Sequence, residues 1–174
     1  MVNPYRHYKG AERVAVVDFD AQHGHGTEEI LGGQPDRFLF VSLHAGDRLS
    51  PFVMPNEGSG DESGIRGNEG ITGSEGGNRR NWSPGRGGGV LCLPLGSRVN
   101  AEGFHRAIAV AVDAVRLFRP DLLILSAGFT GRKGDPTDMG DLCANDFQVI
   151  TNKMASVAEE VCGGRVVSVL EGGF

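Results

Sequence analysis

Residues 16–27 read VVDFDAQHGHGT. They close an apolar run that begins at Arg13 (RVAVVD, 13–18) and place two aspartates where glycines break regular backbone. An apolar strand that ends in carboxylates is building a site, because a buried charge is costly without a partner or a metal. If the backbone stays extended through this stretch, Asp18, Asp20 and Gln22 point to one side and Phe19 to the other.

Three further runs have the same short, continuous apolar character: FLFVSL (38–43), DLLILSA (121–127) and RVVSVL (165–170). Such runs suit strands covered on both faces, as in a parallel sheet. Between the later ones lie two helical patterns. Phe104, Ile108, Ala111, Val115 and Phe118 recur at helical spacing, with Pro120 as the stop. Phe147, Ile150, Met154, Val157 and Val161 repeat it, Asn145 with Gln148 reads as a capping box, and Gly163 reads as the C-terminal stop. Strands alternating with helices predict an α/β sandwich with its ligand site at the carboxyl ends of the strands. DFDAQ, SLH, SAGFT and EGGF all fall at those ends.

The chain of 174 residues is read as a single domain, 1–174, large enough to bury one core. With 39% hydrophobic and 22% charged residues it is globular in composition. A net charge of -5 argues against a general nucleic-acid binder, which would show a basic face. No run approaches the roughly 20 apolar residues that span a bilayer. MVNPYRHYKG at the start has no apolar signal core. Cys92, Cys143 and Cys162 follow no C-x-x-C spacing, so a disulfide framework is not expected and an intracellular, reducing compartment is. The stretch GHG followed by Glu29 fails a dinucleotide fingerprint, no phosphate-binding P-loop occurs, and Ser126 lies outside a G-x-S-x-G elbow.

Residues 57–89 differ from the rest, with twelve of the 28 glycines and few apolar residues, and read as a glycine-rich insertion loop. Its acidic residues come first and Arg79, Arg80 and Arg86 later. Trp82, the single tryptophan, reads as a ring covering the base of the loop, with a partner-binding anchor as the alternative.

VVDFDAQHGHGT resembles the D-x-D-x-H-H-G-x-G-T segment of the histone deacetylase and acetylpolyamine amidohydrolase superfamily. FVSLHAGD (40–47) resembles its S-L-H strand end, RPDLLILSAGFTGRKGDP (119–136) its R-P-D-L-V-L-V-S-A-G-F-D-A-H-x-G-D-P stretch, and RVVSVLEGGF (165–174) its R-V-x-x-V-L-E-G-G-Y ending. The resemblance implies a three-layer arginase/deacetylase-like sandwich with a mostly parallel sheet, incomplete at the N-terminus. It also implies a zinc held by Asp, His and Asp, a histidine pair as base, and a tyrosine hydroxyl at the oxyanion. The zinc positions map to Asp20, Gln22 and Thr130, so only the first carboxylate is retained. The tyrosine position maps to Phe174, which has no hydroxyl, and the segment with the catalytic histidines has no counterpart. His23 and His25 read as packing and turn residues, with their turning inward to join Asp20 at the metal as the alternative.

The resemblance further implies a monovalent cation, usually potassium, at Asp18, Ser42 and Leu43, with carbonyls of Asp20 and Gln22. The expected function is a deacetylase-like protein, inactive as it stands, serving structure or interaction. The alternatives are a divergent or truncated zinc deacetylase of acetyl-lysine or acetylpolyamine amides, and a module that binds a small acyl ligand in the remnant pocket. The absent N-terminal half implies another protein chain, or a second copy, covering an open sheet edge; no nucleic-acid partner and no membrane span are expected.

Overall fold

A computed structural model of the chain describes residues 11–46 and 88–174. Five strands form one sheet: β1 (Val14–Asp18), β2 (Phe38–His44), β3 (Gly89–Pro94), β4 (Leu122–Gly128) and β5 (Val166–Gly172). Their spatial order is β3-β2-β1-β4-β5, and every pairing is parallel. The expected α/β sheet is present, but β1 lies at its centre and β5 at one edge.

Two helices, α2 (Ala101–Phe118) and α3 (Ala144–Cys162), cover one face. Ala15, Val17, Leu39, Val41, Leu43, Leu123 and Leu125 point into that face and meet Phe104, Ile108, Val115, Phe118, Ile150 and Met154 in a single core. Phe104, Phe118 and Ile150 are fully buried, each worth about 1.5–3 kcal/mol against exposure. A third helix, α1 (His25–Leu31), lies over β2 and β3. Buried Phe40 and the His23 ring meet beneath it, on the opposite face, which makes the arrangement three-layered.

The helix ends follow local chemistry. Asn100 caps α2 by accepting from the Gly103 amide at 2.8 Å, and Arg119 ends it in a left-handed conformation (φ 51°). Gly163 ends α3 as expected (φ 62°). The start of α3 differs from the sequence reading. Cys143 is the cap residue, and Asp146, not the Asn145–Gln148 pair, reaches back to accept from the Cys143 amide at 2.8 Å. Two elements, α1 and β3, lie beyond those expected, and β3 begins at Gly89, inside the stretch read as an insertion. Residues 57–87 of that stretch, with Trp82, Arg79, Arg80 and Arg86, lie outside the described residues. Among the described residues no helix is long and apolar enough to cross a membrane.

Candidate site at the carboxyl ends of the strands

Parallel register brings one residue from each of four strands into a row. Cys92 pairs with Ser42, Ser42 with Asp18, and Asp18 with Ser126. Paired residues of neighbouring strands share a face, so these four polar groups cross the sheet together on the side away from α2 and α3. All four are buried.

The backbone leaves its extended course directly after Asp18. The Asp20 amide turns back to donate to Asp18 Oδ1 at 3.0 Å, and residues 20–22 form a bend. The expected alternation of Asp18, Asp20 and Gln22 on one side therefore does not persist. Asp20 is buried and Gln22 exposed. Asp20 has crossed towards β4, where the Thr130 hydroxyl donates to Oδ1 and the Thr130 amide approaches the same oxygen at 3.3 Å. Glycine makes the approach possible, since a Cβ on Gly128 would come within 2.2 Å of Asp20 Cβ.

The fold thus brings Asp20 and Thr130 together and leaves Gln22 and Phe174 outside the contact. Phe174 is 80% exposed. Its amide donates to Asp135 Oδ2 at 2.9 Å, and its carbonyl accepts from Arg132 at 3.2 Å. Asp135 is held below the usual carboxylate range by the Thr137 hydroxyl, the Phe174 amide and the Thr137 amide. The donor set at the three zinc-equivalent positions is one carboxylate, one neutral amide and one hydroxyl. With the hydroxyl proton directed at the carboxylate, these residues do not fit zinc, which takes thiolate, imidazole and carboxylate ligands.

Asp18, Ser42 and Leu43 lie on adjacent strands as the cation reading requires. Burial pushes the Asp18 carboxyl up to about 7, against the hydrogen bond from the Asp20 amide, with the Asp20 and Glu171 charges adding to the rise. Ser42 Oγ lies 2.9 Å from His23 Nδ1 and 3.0 Å from His44 Nδ1. The Leu43 side chain points the other way, into the core, leaving only its carbonyl as a donor. His25 is exposed, its ring edge-on to His23 at 4.6 Å.

A grouping that sequence reasoning did not find lies beside Ser42. His23, Glu28 and Cys92 place one nitrogen, one carboxylate oxygen and one sulfur within 4.8 Å of one another. His23 and Glu28 are five residues apart and Cys92 is on another strand, so no spacing motif announces them. Only the pairing of Ser42 with Cys92 reveals the contact.

A parallel sheet between helices, with carboxylates gathered at its strand ends, defines an α/β fold of the kind in which ligand sites lie along the carboxyl edge of the sheet. Over residues 1–174 the sequence matches the family described as histone deacetylase domain. It is 39% identical over 165 residues to Type-2 histone deacetylase 2 of Dictyostelium discoideum, covering 95% of this chain and 9% of that protein. The backbone matches the histone deacetylase Clr3 with a TM-score of 0.65 at 27% identity, over 97% of this chain and 25% of that one. It matches the acetylpolyamine aminohydrolase from Burkholderia pseudomallei with a TM-score of 0.63 at 26% identity, over 94% of this chain and 40% of that one. The chain belongs to the histone deacetylase family. It spans well under half the length of each of these proteins.

Proposed function

We propose that this chain is a deacetylase-like module that does not hydrolyse acetyl-lysine or acetylpolyamine amides by itself and acts through structure or interaction. The observation that carries the reading is the Asp20–Thr130 contact. The single retained carboxylate is bound by a hydroxyl where the family has a second carboxylate ligand, and the histidine ligand is replaced by exposed Gln22. Losing one oxyanion donor costs about a hundred- to a thousandfold in rate, and Phe174 has no hydroxyl to supply one. Zinc would be held by one anionic donor instead of three charged or imidazole ligands.

The test is elemental analysis with an acetyl-lysine peptide assay on zinc-supplemented protein. The expected results are no zinc dependent on Asp20 and no turnover. One zinc per chain lost on Asp20→Ala, with amide hydrolysis, would falsify the proposal. The combined change Gln22→His, Thr130→Asp and Phe174→Tyr is expected to raise zinc affinity without restoring turnover, since the catalytic histidines have no counterpart in this chain.

A second reading is favoured by the shares of length covered, 9% to 40%: the chain as a portion of a longer zinc-dependent deacetylase. The two readings separate when the assay is repeated with the N-terminal half of a family member added in trans. Activity that needs both pieces supports the second. The partner-covered surface, the compartment and a potassium ion at Asp18 and Ser42 belong to the proposal on the same terms. The partner reading is supported by β5, an edge strand with exposed Val167, Val169 and Leu170.

A further inference from the structure

The buried row across the sheet leads from Asp18 through Ser42 to Cys92, and above it sits the His23 ring. Its side chain is 5% exposed and that of Glu28 24%. Cys92 is 5% exposed. His23 Nδ1 is 2.9 Å from Ser42 Oγ, which in turn is 3.0 Å from His44 Nδ1. With a metal at His23 Nε2, the ring proton would sit on Nδ1 and be donated to Ser42 Oγ, whose own proton would go to His44 Nδ1. His23 Nε2 and Glu28 Oε2 lie 2.5 Å apart, a contact bridged by a positive charge: a proton in the metal-free chain, or a cation in its place. Cys92 Sγ completes the triangle within 4.8 Å. The imidazole is fixed through its far nitrogen by a hydroxyl, the arrangement by which outer groups orient a metal-ligating histidine.

We propose that His23 Nε2, the Glu28 carboxylate and Cys92 Sγ form a binding site for a divalent cation of the zinc type, separate from the Asp20–Thr130 pair. The ligand chemistry selects the class. A thiolate with an imidazole disfavours magnesium and calcium, which prefer oxygen, and the mixed S, N, O set suits zinc or cobalt. Bond lengths of about 2.3 Å to sulfur and about 2.0–2.2 Å to nitrogen and oxygen need the carboxylate drawn back from the imidazole. Glu28 can do this because it is the most exposed of the three and belongs to the seven-residue α1. His23 and Cys92 are held by the sheet, and Ser42 acts as a positioning residue.

The experiment titrates the full metal-free chain with Co(II), whose bond to a thiolate gives a near-ultraviolet charge-transfer band. The chain has three cysteines, Cys92, Cys143 and Cys162, so the source of the band can be assigned. The expected result is one equivalent of Co(II) bound with this band, displaced by Zn(II). The band should be lost in Cys92→Ser and kept in Cys143→Ser and Asp20→Asn. Glu28→Gln, at a part-exposed position, should weaken Co(II) by at least tenfold while its circular dichroism matches the parent. No band, a band that survives Cys92→Ser, or affinity unchanged in a folded Glu28→Gln would each overturn the site. Retention of the band in Asp20→Asn separates this site from the family's metal position, so its success or failure is independent of the proposed function.

Discussion

Gly128 shows how narrowly single residues are constrained. A methyl group there would overlap the Asp20 side chain, with Cγ at 2.3 Å as well as Cβ at 2.2 Å. Gly128→Ala should therefore lower unfolding free energy by about 1–3 kcal/mol, the usual cost of forcing extra volume into a packed site. Gly26→Ala, where a Cβ meets nothing within 4 Å, should be neutral or slightly stabilising because it lies in α1. Denaturant midpoints of the two variants check both. Asp18 gives a pH signature. Its carboxyl, raised from 3.8 to about 7, stays protonated in the fold where the unfolded chain has already ionised. The native state then binds more protons between those values. This contribution is full below about pH 3.8 and is lost as pH rises towards 7, by at most about 1.4 kcal/mol per pH unit. A potassium ion at Asp18 would bind the ionised form and act in the opposite sense. Melts in potassium and in a large organic cation at matched ionic strength should thus diverge more at pH 8 than at pH 6. Equal midpoints at both would remove the support for the cation. Asp18 and Asp20 were legible as site residues because a carboxylate at the end of a buried apolar strand has to be compensated by a partner. The exposure of Gln22 was not, since the turn that causes it depends on a side chain accepting from an amide two residues on.

Helix α3 carries its own prediction. Burial raises the Asp146 carboxyl, but the Cys143 amide and side chain and the His105 ring at 2.8 Å outweigh this and hold it below the ordinary range. Removing the hydrogen bond to the Cys143 amide with Asp146→Ala should cost about 0.5–1.5 kcal/mol near neutral pH. Because the native carboxyl is the stronger acid, its contribution is present above about pH 3.8 and fades as pH falls through the native value. The gap between variant and parent should narrow in acid, and thermal melts from pH 7 to pH 3 measure it; a constant gap would refute the capping role. The difference at this cap is small in sequence distance and clear in cause. Asn145 and Gln148 fit the pattern, yet both are exposed, while Asp146 is buried against His105. The missed elements have physical reasons as well. β3 is an edge strand hemmed by glycines and closed by Pro94, which a sheet tolerates only at such a position. α1 has seven residues, including a glycine, and no side-chain cap, so propensity gives little sign of it. The longer α2 and α3, by contrast, bury the residues that their periodicity selects, except Val161, which is only partly buried.

At the scale of the whole molecule the sheet is finished unequally. The described residues of β1 and β2 are almost all buried, whereas β5 is 44–76% exposed at Val167, Val169 and Leu170 and ends near exposed Phe174. Among the described residues β5 pairs on one side only, and an edge with apolar side chains invites another chain. Purified protein should therefore bind a hydrophobic dye and associate in light scattering, and Val169→Lys with Leu170→Lys should reduce both. A monodisperse monomer that binds no dye would count against the partner reading. The sandwich and its parallel sheet were readable from four apolar runs, since both periodicity and family resemblance fixed the class. The location of the open edge was not. RVAVVD comes first among those runs, yet β1 is the middle strand, because the order of strands in space is decided by crossovers that a linear pattern does not encode.

That central placement has a kinetic consequence. β1 must join β4 through pairs such as Asp18 with Ser126, more than a hundred residues apart in the chain. The middle of the sheet therefore cannot close on a ribosome until β4 has emerged, and β1 with β2 waits as a half-covered ribbon. Distant pairing of this kind slows folding. Nascent chains stalled before residue 122 should remain protease-sensitive throughout β1, and those carrying residues 1–174 clear of the ribosome on an added linker should protect it.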